Sequence, residues 1–143
     1  MLIGSVPYLN AKPLVSWFHT PEGEDRGIEV VYDVPSRLAQ MVETGKVACA
    51  MVSSIEFFRR PHWQAVPHIA IASTGRVLSV RLFSRVPLDR VRSVALDTGS
   101  LTSSALVQVL FARWWQAKPE YISAAPDLEA MLRRAGRGSA HRR

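Results

Sequence analysis

With 143 residues, 48% of them apolar, the chain has the length of one ordinary domain and enough hydrophobic material for a folded core. No apolar run approaches the roughly 18 residues that a membrane helix needs, and a single cysteine, Cys49, excludes an internal disulfide. The formal charge of +6 is a local matter: Arg133, Arg134, Arg137, Arg142 and Arg143 fall in the last eleven residues, and without these five the chain carries 13 basic against 12 acidic residues.

A basic tail at residues 136–143 on a near-neutral body does not predict nucleic-acid binding, because no groove-reading motif or aromatic stacking platform accompanies it. Strand-like sequence begins at Leu2 with no basic-then-apolar leader before it, so a cytoplasmic protein without membrane attachment is expected. Cys49 lies in an apolar run and reads as a small buried hydrophobe.

Residues 2–3 open a strand that runs into a Pro-bounded polar turn carrying Tyr8 and Asn10, followed by a helical stretch. Residues 28–34 form a β-rich segment ended by Pro35. Ser36 then reads as the N-cap of a helix over 37–43, with Leu38, Met41 and Val42 on one face and Gly45 as its stop. An unbroken apolar run at 47–52 predicts a strand covered on both faces. Ser53 and Ser54 cap the helix expected over 55–60. The order points to a parallel sheet with crossover helices.

Residues 69–73 and 77–83 read as two further strands around Gly75. After them come a strand at 91–96, a long helix at 102–117, a strand at 120–123 and a helix at 128–134 capped near Asp127. The segment 77–83 reads as a crossing between lobes, since a fresh βαβα pattern starts after Pro87.

Polar residues at strand ends carry the chemistry. An amide such as Asn10 presents a donor and an acceptor at fixed geometry, suited to holding a hydroxyl, although Asn in a turn also satisfies its own backbone. Hydroxyls ahead of helices, as at Ser53, Ser54, Ser100, Thr102 and Ser103, serve as caps, and the same helix starts attract carboxylates. Asp97-Thr98-Gly99 matches an aspartic-protease string, but it has no second copy to pair with and opens a helix, so it reads as coincidence. The four histidines show no metal-ligand spacing, and no phosphate-binding glycine loop is present, so no metal or cofactor is expected.

The string Gly4-Ser5-Val6-Pro7-Tyr8-Leu9-Asn10-Ala11-Lys12-Pro13-Leu14 resembles the N-terminus of the chorismate dehydratase family of the futalosine route to menaquinone. The resemblance continues in order through Pro35-Ser36-Arg37-Leu38-Ala39, Val52-Ser53-Ser54-Ile55-Glu56, Gly75-Arg76-Val77-Leu78-Ser79-Val80, Val94-Ala95-Leu96-Asp97 and Thr102-Ser103-Ser104-Ala105-Leu106. Ala48 departs from the acid usual in the family and Leu101 from an often-present Arg; the second departure is expected to remove an anion contact.

What the resemblance implies is an α/β fold of the periplasmic-binding-protein-like type II class, with two lobes of parallel or mixed sheet flanked by helices, here truncated. The first lobe is expected over residues 1–82 and part of the second over 83–135. The octapeptide 136–143 departs from the family pattern as a shifted reading frame would. The implied activity is a hydro-lyase reaction turning chorismate, a small dicarboxylate, into 3-[(1-carboxyvinyl)oxy]benzoate and water. Asn10 would be catalytic, and Tyr8, Ser53, Ser54, Arg76, Ser79, Ser100, Thr102 and Ser103 would bind substrate. The alternatives are a non-catalytic binder of small carboxylates with the same fold and, more distantly, the later dihydroxynaphthoate synthase of that route.

Overall fold

The computed structural model describes residues 1–137, in two compact units, Met1–Thr74 and a second beginning at Gly75. Both are mixed α/β with parallel strands, and six α-helices occur among the described residues. None of these helices is long and apolar enough to cross a membrane.

In the first unit three parallel strands, β1 (Leu2–Ser5), β2 (Glu29–Tyr32) and β3 (Cys49–Ala50), lie in the order β2-β1-β3. Two one-turn helices, α1 (Lys12–Val15) and α2 (Pro21–Glu24), join β1 to β2, and α3 (Pro35–Glu43) joins β2 to β3. Gly4 is what lets β1, β3 and α3 close on one another. A Cβ at that position would lie 2.7 Å from both the Ala50 Cβ and the Leu38 Cδ2. Leu38, fully buried, packs there with Val6 and Ala11.

Helix α3 shows the expected apolar face but a different start. Val34 is the N-cap and Pro35 the first helical residue, so Ser36 is not the cap. Proline suits that position because its fixed φ is already helical and its missing N–H would have had no partner. The stop at Gly45 is as expected: φ is +69°, the Gly45 N–H donates to the Val42 carbonyl at 3.0 Å, and the Lys46 N–H donates to the Met41 carbonyl at 2.9 Å. These paired bonds satisfy carbonyls that a helix end leaves open.

Three expectations are corrected. The strand expected over 47–52 pairs only at Cys49–Ala50. Cys49 is exposed, not buried. Side chains alternate along a strand, so while Ala50 faces Leu38, Cys49 points to the opposite face at the open edge of the sheet. Residues 69–73 and 77–83 form no strands. A strand exists only through a hydrogen-bonded neighbour, and among the described residues neither segment has one. Their apolar side chains stay largely exposed, Leu78 at 78%.

The second unit pairs β4 (Ser93–Asp97) with β5 (Glu120–Ala124) in parallel over five residues, bridged by α5 (Leu101–Arg113) and followed by α6 (Leu128–Arg137). Phe111 of α5, fully buried, anchors it and meets the half-buried Trp115 edge-on at 4.8 Å, while Trp114 is exposed. Helix α5 ends earlier than 117 because the chain turns at Gln116, which takes a φ of +52°. Asp127 caps α6 as expected, its Oδ1 accepting the Ala130 N–H at 3.0 Å. Leu128, Met131, Leu132 and Ala135 recur at helical spacing and line an apolar hollow with Val94 and Phe111. Leu82 and Phe83, within the second compact unit, line the same hollow. Of the basic tail assigned to 136–143, residues 138–143 lie outside the described residues.

Candidate functional site

In the first unit the polar candidates gather at the carboxyl edge of the sheet. Strand β1 lies between β2 and β3 and all three run parallel, so the segments after β1 and β3 leave from the same edge. Parallel α/β sheets bind ligands outside that edge. Tyr8 and Asn10 follow β1, and Ser53 and Ser54 follow β3.

The Asn10 turn is pinned at both ends. Val6 before it and Ala11 after it are core residues, and the Ala11 N–H donates to the Tyr8 carbonyl at 3.0 Å. Tyr8, Leu9 and Asn10 are exposed between these anchors. An exposed amide on a turn held by buried neighbours costs little further ordering when it meets a ligand.

Ser53 occupies the N-cap of α4 (Ser54–Phe58), yet its side chain makes no capping bond. The string Ser53-Ser54-Ile55-Glu56 has capping-box spacing, in which the acid would reach back to the cap. Here the Glu56 carboxylate, on a buried residue, instead accepts from Arg60 at 2.5 Å and lies 3.4 Å from Arg59. Arg60 also meets Glu43 at 3.2 Å and stacks over Trp63, whose indole N–H donates to Glu43 at 3.0 Å. This network ties α4 to the end of α3 and leaves the Ser53 hydroxyl outside the cap. Because α4 has five residues, its dipole is small, and the charge attraction expected of two helix starts rests on α5.

In the second unit an open pocket of about 150 Å³ lies at the carboxyl end of β4 and the start of α5. Ser79, Ser100 and Ser103 line it, as do Asp97 and Ser104, together with Arg81, which sequence reasoning passed over. Arg76 and Thr102 are not among its lining residues. Asp97 ends β4 and organises the turn. Its Oδ1 accepts the Gly99 N–H at 2.7 Å, and its carbonyl accepts the Ser100 N–H and the Ser104 hydroxyl, both at 3.1 Å. The Asp-Thr-Gly string is thus a turn that launches a helix. Ser100 is the N-cap without a side-chain cap bond, so its hydroxyl, like that of Ser53, is not spent on the helix. With Leu101 heading α5, the cation at this pocket comes from Arg81.

The candidates therefore form two groups, Tyr8, Asn10, Ser53 and Ser54 in the first unit and Ser79, Ser100 and Ser103 around the pocket of the second. Among the described residues no three His, Cys, Asp or Glu side chains gather as a metal site would require. A nearby pair that sequence reasoning missed is His19 with Tyr32, whose Nε2 and Oη lie 2.7 Å apart at the end of β2. No local motif flags it, because the two residues meet only once the sheet forms.

Comparison with known proteins adds the following. A family model described as menaquinone biosynthesis matches residues 1–139. Over 112 residues the chain is 33% identical to a chorismate dehydratase of Thermus thermophilus, covering 76% of this chain and 39% of that protein. Over 113 residues it is 31% identical to a chorismate dehydratase of Campylobacter jejuni, covering 77% of this chain and 47% of that protein. The chain spans less than half the length of the curated relatives it matches.

Proposed function

The chain belongs to the menaquinone biosynthesis family, and from that membership we propose that it carries part of a chorismate dehydratase, a hydro-lyase converting chorismate to 3-[(1-carboxyvinyl)oxy]benzoate and water. The activity proposed is that of the whole protein, since the match covers 39–47% of its relatives. The fold proposed is the two-lobed periplasmic-binding-protein-like type II class, with lobes at residues 1–82 and from 83 onward; the parallel β2-β1-β3 sheet is compatible with it. A cytoplasmic location belongs to the same reading.

The chemistry asks for little from the protein. A ring proton and the ring hydroxyl leave as water while the ring becomes aromatic, so the product's own stability drives the step. The enzyme has to orient the leaving hydroxyl, hold two carboxylates and exclude bulk water. The candidate residues offer amides, hydroxyls and a guanidinium but no obvious strong base. In this reading the substrate's enolpyruvyl carboxylate takes the ring proton. The Asn10 amide holds the departing hydroxyl, and Ser53, Ser54, Ser100 and Ser103 donate to carboxylate oxygens.

The observation that carries the proposal is Asn10 itself, exposed on a turn fixed by Val6 and Ala11 at the carboxyl edge of the central strand. The test is turnover of chorismate by this chain and by a chimera extended with the remainder of the Thermus protein, followed by chromatography of the product. Asn10→Ala is expected to abolish product in whichever form is active while leaving its thermal melt unchanged. Wild-type turnover in the variant removes Asn10 from the chemistry, and absence of product from both unsubstituted forms overturns the dehydratase reading.

A further inference from the structure

We propose that Arg81 makes the serine-lined pocket of the second unit a carboxylate-binding subsite, with Arg81 as its specificity-determining residue; this rests on the dehydratase reading for the identity of the natural ligand only. The guanidinium is held by its Nε, which donates to the Leu78 carbonyl at 2.9 Å. On this exposed residue the bond occupies Nε and leaves the terminal nitrogens as a fork of donors, the geometry that matches a carboxylate in two parallel hydrogen bonds. Among the described residues Arg81 takes part in no ion pair. Asp97, which lines the same pocket, has its Oδ1 on the Gly99 N–H and makes no direct ion pair with Arg81.

The surroundings fit an acid with an apolar body. Arg81 also borders the neighbouring hollow lined by Phe83, Val94 and Phe111, so it lies between an apolar and a polar surface. Val80, Val107 and Met131 supply an apolar wall, and Ser79, Ser100 and Ser103 supply hydroxyls for the carboxylate's remaining lone pairs. The ligand class is a small, ring-sized carboxylic acid. Arg76, the basic residue that sequence alone singles out, is not among the residues lining this pocket.

The test follows the Arg81 side-chain Nε–H resonance of the nitrogen-labelled 143-residue chain, assigned by its loss in Arg81→Lys. Benzoate serves as carboxylate probe, benzyl alcohol as its uncharged counterpart, and chorismate as the proposed substrate. Benzoate and chorismate are expected to shift the resonance and benzyl alcohol to leave it in place. Loss of a charge-assisted hydrogen bond is worth tenfold or more in affinity, so calorimetry should show Arg81→Gln weakening chorismate by at least that factor and Arg113→Gln, an exposed change at the far end of α5, by less than twofold. If benzoate and chorismate both leave the resonance unmoved, or Arg81→Gln binds chorismate as tightly as the unsubstituted chain, the subsite is wrong. Chorismate turnover with an Arg81→Gln affinity unchanged keeps the dehydratase reading and removes the subsite. A benzoate shift without any binding or turnover of chorismate keeps the subsite and removes the dehydratase reading.

Discussion

Gly4→Ala places one methyl group where β1, β3 and α3 meet. The added Cβ would stand 2.7 Å from the Ala50 Cβ and 2.7 Å from the Leu38 Cδ2, against about 3.5–4.0 Å for carbon atoms in contact. Neither neighbour yields freely. The Ala50 Cβ is bonded to a strand held by the Ala48 N–H on the Leu2 carbonyl at 2.8 Å and the Met51 N–H on the Gly4 carbonyl at 2.9 Å. Leu38 is fully buried. Overpacking of this kind costs about 1–3 kcal/mol, and the lower unfolded-state entropy of alanine returns about 0.4–1 kcal/mol. The net expectation is a loss of about 1–2 kcal/mol, or roughly 5–15 °C in the melting temperature of a unit this size. Circular dichroism melts and urea titration measure it, with Gly75→Ala as control. Nothing lies within 4 Å of a Cβ at Gly75 and its φ is not left-handed, so that change should be neutral or mildly stabilising. A Gly4→Ala protein that melts with the unsubstituted chain, alongside a well-behaved control, would refute the close approach of β1 to β3 and α3.

Gly45→Ala forces a Cβ into the left-handed region at the end of α3, at a cost of about 1–2 kcal/mol; an unchanged urea midpoint would mean that the turn does not depend on glycine. Glu56→Gln removes the charge shared by Arg59 and Arg60, and because those arginine side chains are 60% and 26% exposed the loss should be about 1–2 kcal/mol, below that of a fully buried pair. Raising the salt should narrow that difference, and a difference that grows with salt would contradict a charge origin. Ser103→Ala should weaken chorismate binding by about 1.5–3 kcal/mol with little change in the melt, since the N-cap position belongs to Ser100; calorimetry showing full affinity would leave Ser103 without a ligand role.

Local signals were readable along the chain because their causes are local. Gly45 ends α3, Asp127 caps α6, and the parallel pairing of β1 with its neighbours follows from alternating strands and helices. The ordered motifs from Gly4 to Leu106 were enough to suggest the family to which the chain belongs. They also put Asn10 in a turn after β1 and Ser100 and Ser103 at a helix start, because such positions depend on neighbours a few residues away. Other features waited on contacts between distant segments. The apolar runs at 69–73 and 77–83 have strand composition, but a strand needs backbone partners that composition does not supply. Cys49 looks buried in its own run and is exposed because Ala50 takes the face toward Leu38. Arg76 and Arg81 are five positions apart and indistinguishable as charges on a sequence; only the packing of residues 79–83 against β4 and α5 decides that Arg81 borders the pocket, because the direction of a side chain is set by what its backbone packs on.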